Sequence, residues 1–205
     1  MSFDSLRRDL IGEVFDYQLL ISYLKGLKKP RDKISALVAE GKIIRLKNGL
    51  YIFGEEWRRS SLCLEMIANL IYGPSCVSFE YALSHYGFIP ERVTVMTSLT
   101  IGKSKTFQTP LGVFEYQAID REKFKVGIEY KGLGKEGGYF IASKEKALAD
   151  LVYRTPGIRT LEQLHHYLFE EMRIDEKMFR SLDFSKMDEI SKAYKKNSVN
   201  MLKNL

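Results

Sequence analysis

Residues Lys28–Gly54 read KKPRDKISALVAEGKIIRLKNGLYIFG, and the fold class turns on how this stretch divides. A basic turn, Leu27-Lys28-Lys29, leads into Pro30, which sits where a first helical residue tolerates its missing N–H. Ile34, Leu37 and Val38 recur at helical spacing and predict a helix from about Pro30 to Glu40, closed by Gly41. The period then changes. Lys42–Leu46 reads as a short strand, Lys47-Asn48-Gly49 as a tight turn, and Leu50–Phe53 as the returning strand, ended by Gly54. Asn-Gly between apolar runs is the strongest short hairpin signal.

Upstream, Phe3, Leu6, Leu10, Ile11, Val14 and Phe15 fall at spacings of three and four, which predicts an amphipathic helix over residues 3–15 capped by Asp4 or Ser5. Asp16 is placed to cap a second helix from Tyr17 to about Lys25, with Gly26 at its end. Three short helices followed by a two-stranded hairpin is the order of a winged helix-turn-helix module, expected over residues 1–57.

Charge singles out the same region. Residues 25–59 carry ten bases and four acids, a net +6 that equals the charge of the whole chain; residues 1–24 carry −2 and residues 60–205 carry +2. Such a cluster attracts a polyanion and releases counterions on binding. In a helix-turn-helix the second helix of the motif enters the major groove, its N-terminal residues facing base edges. Here those residues are Lys28, Lys29, Arg31, Lys33 and Ser35, with Arg31 and Lys33 best placed for bases. Lys28, Lys29 and Lys47 suit phosphate, Arg45 reaches phosphate from the hairpin strand, and Asn48 sits at the tip. Small residues, Ala36 and Ala39, permit close approach. The expected partner is double-stranded DNA. A solvated charged surface, or a winged helix used for protein contact, would carry the same bases.

Residues 58–205 read as a larger α+β domain with a small sheet and a helical C-terminal region. Ser60 or Ser61 would cap a helix through Leu62, Met66, Ile67, Leu70 and Ile71, and a second short helix fits Ser78–Tyr86. Strands are expected at Arg92–Ser98, Thr106–Thr109, Val113–Ala118, Phe124–Tyr130 and Gly138–Ala142, then a helix from Ser143 through Tyr153. After Pro156-Gly157 the pattern is helical: Thr160 to about Glu171, Asp175–Leu182, and Ser185–Leu202.

Signatures of chemistry are sparse. Gly132–Gly137 matches G-x-G-x-x-G, but a strand follows it, so a hairpin loop is expected rather than a dinucleotide site. His85 lies beside aromatic residues and reads as structural; His165 and His166 are adjacent and cannot form an i, i+4 metal pair. Ser78 and Glu80 read as a helix cap and a dipole-complementary acid. Glu145, Lys146 and Asp150 read as a charged face for surface ion pairing or interdomain contact, with Lys146 and Asp150 at i, i+4. Cys63 and Cys76, both in apolar stretches, read as buried free thiols. No catalytic residue, metal site or cofactor is expected. The start of the chain shows no secretory h-region and no apolar run approaches a membrane span, so a reduced, cytoplasmic setting is expected.

Three stretches give the chain a resemblance. They are Gly41–Tyr51 (GKIIRLKNGLY), Val77–Pro90 (VSFEYALSHYGFIP) followed by Val93–Thr97, and Ala142–Leu151 (ASKEKALADL), with Pro110–Tyr116 between. In this order they resemble the AbiEi-type antitoxins, transcriptional regulators of abortive-infection toxin–antitoxin systems. Two departures are visible: Lys144 stands where proline is expected before the Glu-Lys-Ala run, and Cys76 where an aromatic is more usual. The resemblance implies a winged helix that represses its own operon by binding the operator. It also implies a second domain that counteracts a nucleotidyltransferase-type toxin without requiring a stable complex. The signature positions in that domain are Ser78, Glu80, Tyr81, His85, Glu145, Lys146 and Asp150. Two other readings stay open from the residues alone. One is a plain winged-helix transcription factor whose second domain senses a ligand or dimerises. The other is a nucleotide-directed enzyme in which Glu80, His85 and Glu145 would have to converge.

Overall fold

A computed structural model describes residues 3–205. Met1 and Ser2, assigned above to the N-terminal module, lie outside the described residues. The N-terminal unit runs α1 (Phe3–Asp9), β1 (Val14–Asp16), α2 (Tyr17–Tyr23), α3 (Pro30–Ala39), β2 (Ile43–Lys47) and β3 (Leu50–Phe53). Its sheet has the order β1-β3-β2, antiparallel throughout. The single helix expected over residues 3–15 is therefore corrected. It stops at Asp9, and Val14 and Phe15 form a strand opposite Ile52 and Tyr51. Phe15 pairs with the open edge of β3 between the Phe53 N–H to Glu13 carbonyl bond (3.1 Å) and the Tyr17 N–H to Gly49 carbonyl bond (2.9 Å), and Val and Phe suit a pleated surface.

Local signals elsewhere hold. Asp16 accepts a hydrogen bond from the Leu19 N–H at 2.8 Å and so caps α2. Pro30 begins α3. Asn48 and Gly49 form the two-residue hairpin connection, and Gly49 takes φ +84°, a conformation costly to other residues.

Alternation along the hairpin decides how the two parts of the molecule meet. Ile43, Tyr51 and Phe53 face one way, into a core with Phe3, Leu6, Phe15, Leu20, Leu24, Ile34 and Leu37. Leu46, Leu50 and Ile52 face the other way and belong to the core of the larger unit, with Val14 and Ile44 packed against it. The hairpin is thus covered on both faces. Glu13, 3 % exposed, ties the connection: its carboxylate accepts from Arg7 Nη1 (2.7 Å) and from the backbone N–H groups of Arg59 (2.9 Å) and Ser60 (3.2 Å).

The larger unit contains α4 (Leu64–Ile71), β4 (Ser75–Val77), α5 (Phe79–His85), β5 (Met96–Thr100), β6 (Lys105–Thr109), β7 (Gly112–Ala118), α6 (Arg121–Lys125), β8 (Ile128–Gly132), β9 (Gly138–Ala142) and α7 (Lys144–Arg154). There follow α8 (Leu161–His165), a π-helical turn His166–Glu171, α9 (Glu176–Arg180), α10 (Phe184–Tyr194) and α11 (Asn197–Asn200). The six strands lie in the order β6-β7-β5-β4-β9-β8, with β5–β7 and β4–β9 parallel and the other neighbours antiparallel. The chain is a mixed α and β protein, as expected, with a helical C-terminal region.

Several boundaries move. β4, only three residues long, was not foreseen and lies at the centre of the sheet. Its pairing, Ser75 with Thr100 and Val77 with Ser98, sets β5 at Met96–Thr100 rather than Arg92–Ser98. The strand expected over Phe124–Tyr130 divides into helix α6 and strand β8. The helix expected over Ser185–Leu202 breaks because Lys195 adopts a left-handed conformation, φ +50°. Neither Ser60 nor Ser61 caps α4; Cys63 holds that position, and Ser60 donates to Glu13 instead.

Candidate functional site

Two regions gather the residues that sequence reasoning singled out. The first is an open cleft of about 910 Å³ between the start of α2, the exposed side of α3 and the hairpin. Asp16, Tyr17, Arg31, Arg45, Asn48 and Tyr51 line it, and Ser35 and Val38 extend it along α3. Arg31, Ser35 and Val38 are successive positions on one helical stripe, so α3 presents that stripe to the cleft. Arg45 stands opposite Tyr51 in the hairpin register and projects from the same face. The Tyr17 N–H donates to the Gly49 carbonyl at 2.9 Å, which fixes α2 to the hairpin turn. Tyr17 and Arg31 share the cleft wall, and the tyrosine hydroxyl holds the guanidinium above its ordinary value. The carboxylate in the cleft wall, Asp16, is engaged as the α2 cap.

The remaining bases sort by position. Lys28 and Lys29 are exposed at the turn before α3, and Lys29 lies 3.9 Å from Asp32. Lys33, half-buried, is absent from the cleft wall; its charge acts instead on Glu40 at the far end of α3. Lys47 turns inward: its ammonium donates to the Ile71 carbonyl at the end of α4. Burial, and then the nearby charge of Lys105, lower its pKa below the ordinary lysine value. Sequence reasoning missed Tyr17, which directly follows the cap residue Asp16, Tyr51, which lies two residues past the turn glycine Gly49, and Val38, which was read as core.

The second region is buried. Glu145, Lys146 and Asp150 are at most 1 % exposed and lie inside the larger unit, so their reading as a charged face for surface ion pairing or interdomain contact is corrected. Helix α7 is covered on all sides, by α5 on one flank and by α10 and α11 on another. Lys146 donates to Tyr194 OH (2.8 Å) and to the Lys123 carbonyl (2.9 Å), and lies 3.4 Å from Asp150 Oδ1. Asp150 also accepts from Tyr194 OH and, at 2.5 Å, from Ser78 Oγ. Burial lifts the Asp150 carboxyl above its ordinary value, against the pull of Lys146, Ser78 and Tyr194. Ser78 stands at the N-cap of α5 but makes no capping bond, which corrects its expected role. The next residue, Phe79, has φ +57°; this strained turn joins β4 to α5 and leaves the Ser78 hydroxyl directed inward to Asp150.

The other signature positions have separate partners. Glu80 pairs with Arg154, and Glu145 accepts from the Asp183 N–H at 2.9 Å. Tyr81 OH donates to Glu65 (3.1 Å), and His85 Nδ1 lies 3.5 Å from the same carboxylate. Glu80, His85 and Glu145 therefore do not converge. Cys63 donates to Glu65, and burial pushes its thiol up to about 11; Cys76 is fully buried and pushed higher still. Both stay protonated at neutral pH, which is the opposite of an activated nucleophile. Among the described residues, no three His, Cys, Asp or Glu side chains gather as a metal would need, and no helix is long and apolar enough to cross a membrane. The G-x-G-x-x-G match lies in the β8–β9 hairpin loop, as expected.

No family model matches this chain, and no curated protein does.

Proposed function

We propose that this chain is a DNA-binding transcriptional repressor whose first 57 residues act as a winged helix-turn-helix. The observation that carries the reading is the cleft in which Arg31 from α3 and Arg45 from the hairpin meet beside Tyr17, Ser35 and Asn48. The element order helix–strand–helix–helix–strand–strand supports it, because that is the order of a winged helix. In this reading α3 enters the major groove with Arg31 and Ser35 at base edges. Arg45 and Asn48 hold the neighbouring phosphates, and Lys28 and Lys29 hold those at the helix start. Lys33 and Lys47 fall outside the contact. A gel-shift titration with the DNA upstream of the gene tests this. Binding is expected for the natural chain and is expected to vanish in Arg31→Glu/Arg45→Glu; Lys47→Gln, which keeps a donor for the Ile71 carbonyl and removes the charge, is expected to bind like the natural chain. Unchanged binding by the double variant would overturn the face.

The wider role rests on the resemblance of Val77–Pro90 and Ala142–Leu151 to AbiEi-type antitoxins. In that role the operator belongs to the chain's own operon, and the larger unit counteracts a nucleotidyltransferase-type toxin. Co-expression with the gene adjacent to this one tests it: growth rescue by the full chain supports the role, and an adjacent gene without toxicity contradicts it.

A further inference from the structure

The far edge of the larger sheet is a strand unpaired on its outer side. Strand β8 is the last strand of the sheet and has β9 on one side only. The Ser143 N–H donates to the Gly127 carbonyl (2.8 Å), and the Leu133 N–H to the Gly137 carbonyl (2.7 Å). These two bonds fix the alternation: residues 127, 129, 131 and 133 turn their backbone groups toward β9, and Ile128, Tyr130 and Gly132 turn theirs outward. Phe140, opposite Tyr130, agrees, since its N–H goes to Asn69 Oδ1 at 2.6 Å rather than to β8. An edge with a row of open donors and acceptors is a template for another strand.

Beside the charged pair Glu129 and Lys131 on this strand, large apolar side chains lie exposed. Tyr130 is 58 % exposed, Phe140 49 % and Leu70 46 %. Tyr130 and Phe140 pack ring to ring, with centroids 5.4 Å apart. Beside them an apolar cleft of about 460 Å³ is lined by Met66, Leu70, Pro74, Phe124, Ile128 and Phe140. Contiguous exposed apolar surface of this kind marks an interaction site.

The charges choose the occupant. Glu129 and Lys131 flank Tyr130 and form an ion pair at 2.7 Å. When two copies of β8 lie antiparallel about a two-fold axis at Tyr130, Glu129 of each copy stands opposite Lys131 of the other. Those are the narrow, non-hydrogen-bonded pairs, in which facing side chains come closest. Ile128 then exchanges backbone bonds with Gly132 of the other copy, and Tyr130 with Tyr130. We propose that a second copy of this chain docks along β8 in this register, joining two six-stranded sheets into one and covering Tyr130, Phe140 and Leu70. Such an interface is self-complementary, as two-fold symmetry requires. The proposal is independent of what the N-terminal cleft binds.

Sedimentation velocity of the full chain, over a concentration series into the high micromolar range, tests it. The mass is expected to rise from 23.7 kDa toward twice that value. Tyr130→Pro removes an outward donor and leaves the bonds to β9 intact, so it is expected to stay monomeric with unchanged circular dichroism. Lys131→Glu alone and Glu129→Lys alone place like charges opposite each other and are expected to stay monomeric. The two mixed together, and the double variant Glu129→Lys/Lys131→Glu, are expected to associate as the natural chain does. Should Tyr130→Pro fail to fold, the charge series decides. A natural chain that stays monomeric throughout, or dimers that survive both single charge reversals, would overturn the proposal; so would a β8 edge that takes up only a foreign extended peptide.

Discussion

Arg31 and Arg45 carry different parts of the proposed DNA contact. Arg31 sits where α3 meets base edges, so Arg31→Ala is expected to weaken binding by about 1–3 kcal/mol and to relax sequence preference. Arg45 sits on the hairpin face beside the backbone, so Arg45→Ala is expected to weaken all duplexes similarly and to reduce the slope of log K against log salt by about 1. Anisotropy titrations on matched and scrambled duplexes separate the two. The basic cluster itself was legible in the sequence; which of its members share a surface was not. Lys33 lies two positions from Arg31, a rotation of about 200° on a helix, and so leaves the cleft. Lys47 was read as a free tip residue, yet its stem follows the covered face of the hairpin to the Ile71 carbonyl. Asp150 and Lys146 were read as surface because i, i+4 ion pairs usually are; their burial depends on α10 and α11, which arrive about forty residues later. Breaking that pair on one side leaves an uncompensated buried charge. Lys146→Met is therefore expected to cost about 3–5 kcal/mol in urea denaturation, and Lys146→Met/Asp150→Leu clearly less.

The hairpin is the element on which the molecule depends. Its existence was plain from Asn48-Gly49 between apolar runs; its two-sided burial, with Leu46, Leu50 and Ile52 on one face and Tyr51 and Phe53 on the other, emerges only once the larger unit is in place. What the sequence could not supply was β1. Three residues carry too little pattern to outweigh a helical period that happened to continue through Val14 and Phe15. The same holds for β4, a three-residue strand whose two neighbours, β5 and β9, come from distant places in the chain. A close backbone approach closes the hairpin: the Gly54 N–H donates to the Lys42 carbonyl at 2.8 Å, and a Cβ on Gly54 would stand 1.8 Å from the Gly41 carbonyl oxygen. Gly54→Ala is expected to force the strands apart, lowering stability by about 1–3 kcal/mol and weakening DNA binding through Arg45. Thermal unfolding and anisotropy of the same variant check both consequences.

For the whole molecule, the shared hairpin is expected to make the two units unfold as one. The charge distribution and the change of pattern near residue 57 suggested two parts, but a boundary in sequence does not say how much surface the parts bury together. Trp57, the single tryptophan, packs edge-on against Phe3 in the N-terminal unit, with centroids 4.9 Å apart, and so reports on that unit alone. Its fluorescence and the far-ultraviolet circular dichroism of the full chain are expected to change at the same urea concentration; separated midpoints would show that the units unfold independently. The placement of Arg31 and Arg45 on one face is a claim about the folded whole, and fluorescence anisotropy on labelled duplex from upstream of the gene tests it most directly. The natural chain is expected to bind with an affinity that falls steeply as salt rises, and Arg31→Glu/Arg45→Glu to lose that binding while retaining its fold. Equal affinity and equal salt dependence for the two proteins would contradict it.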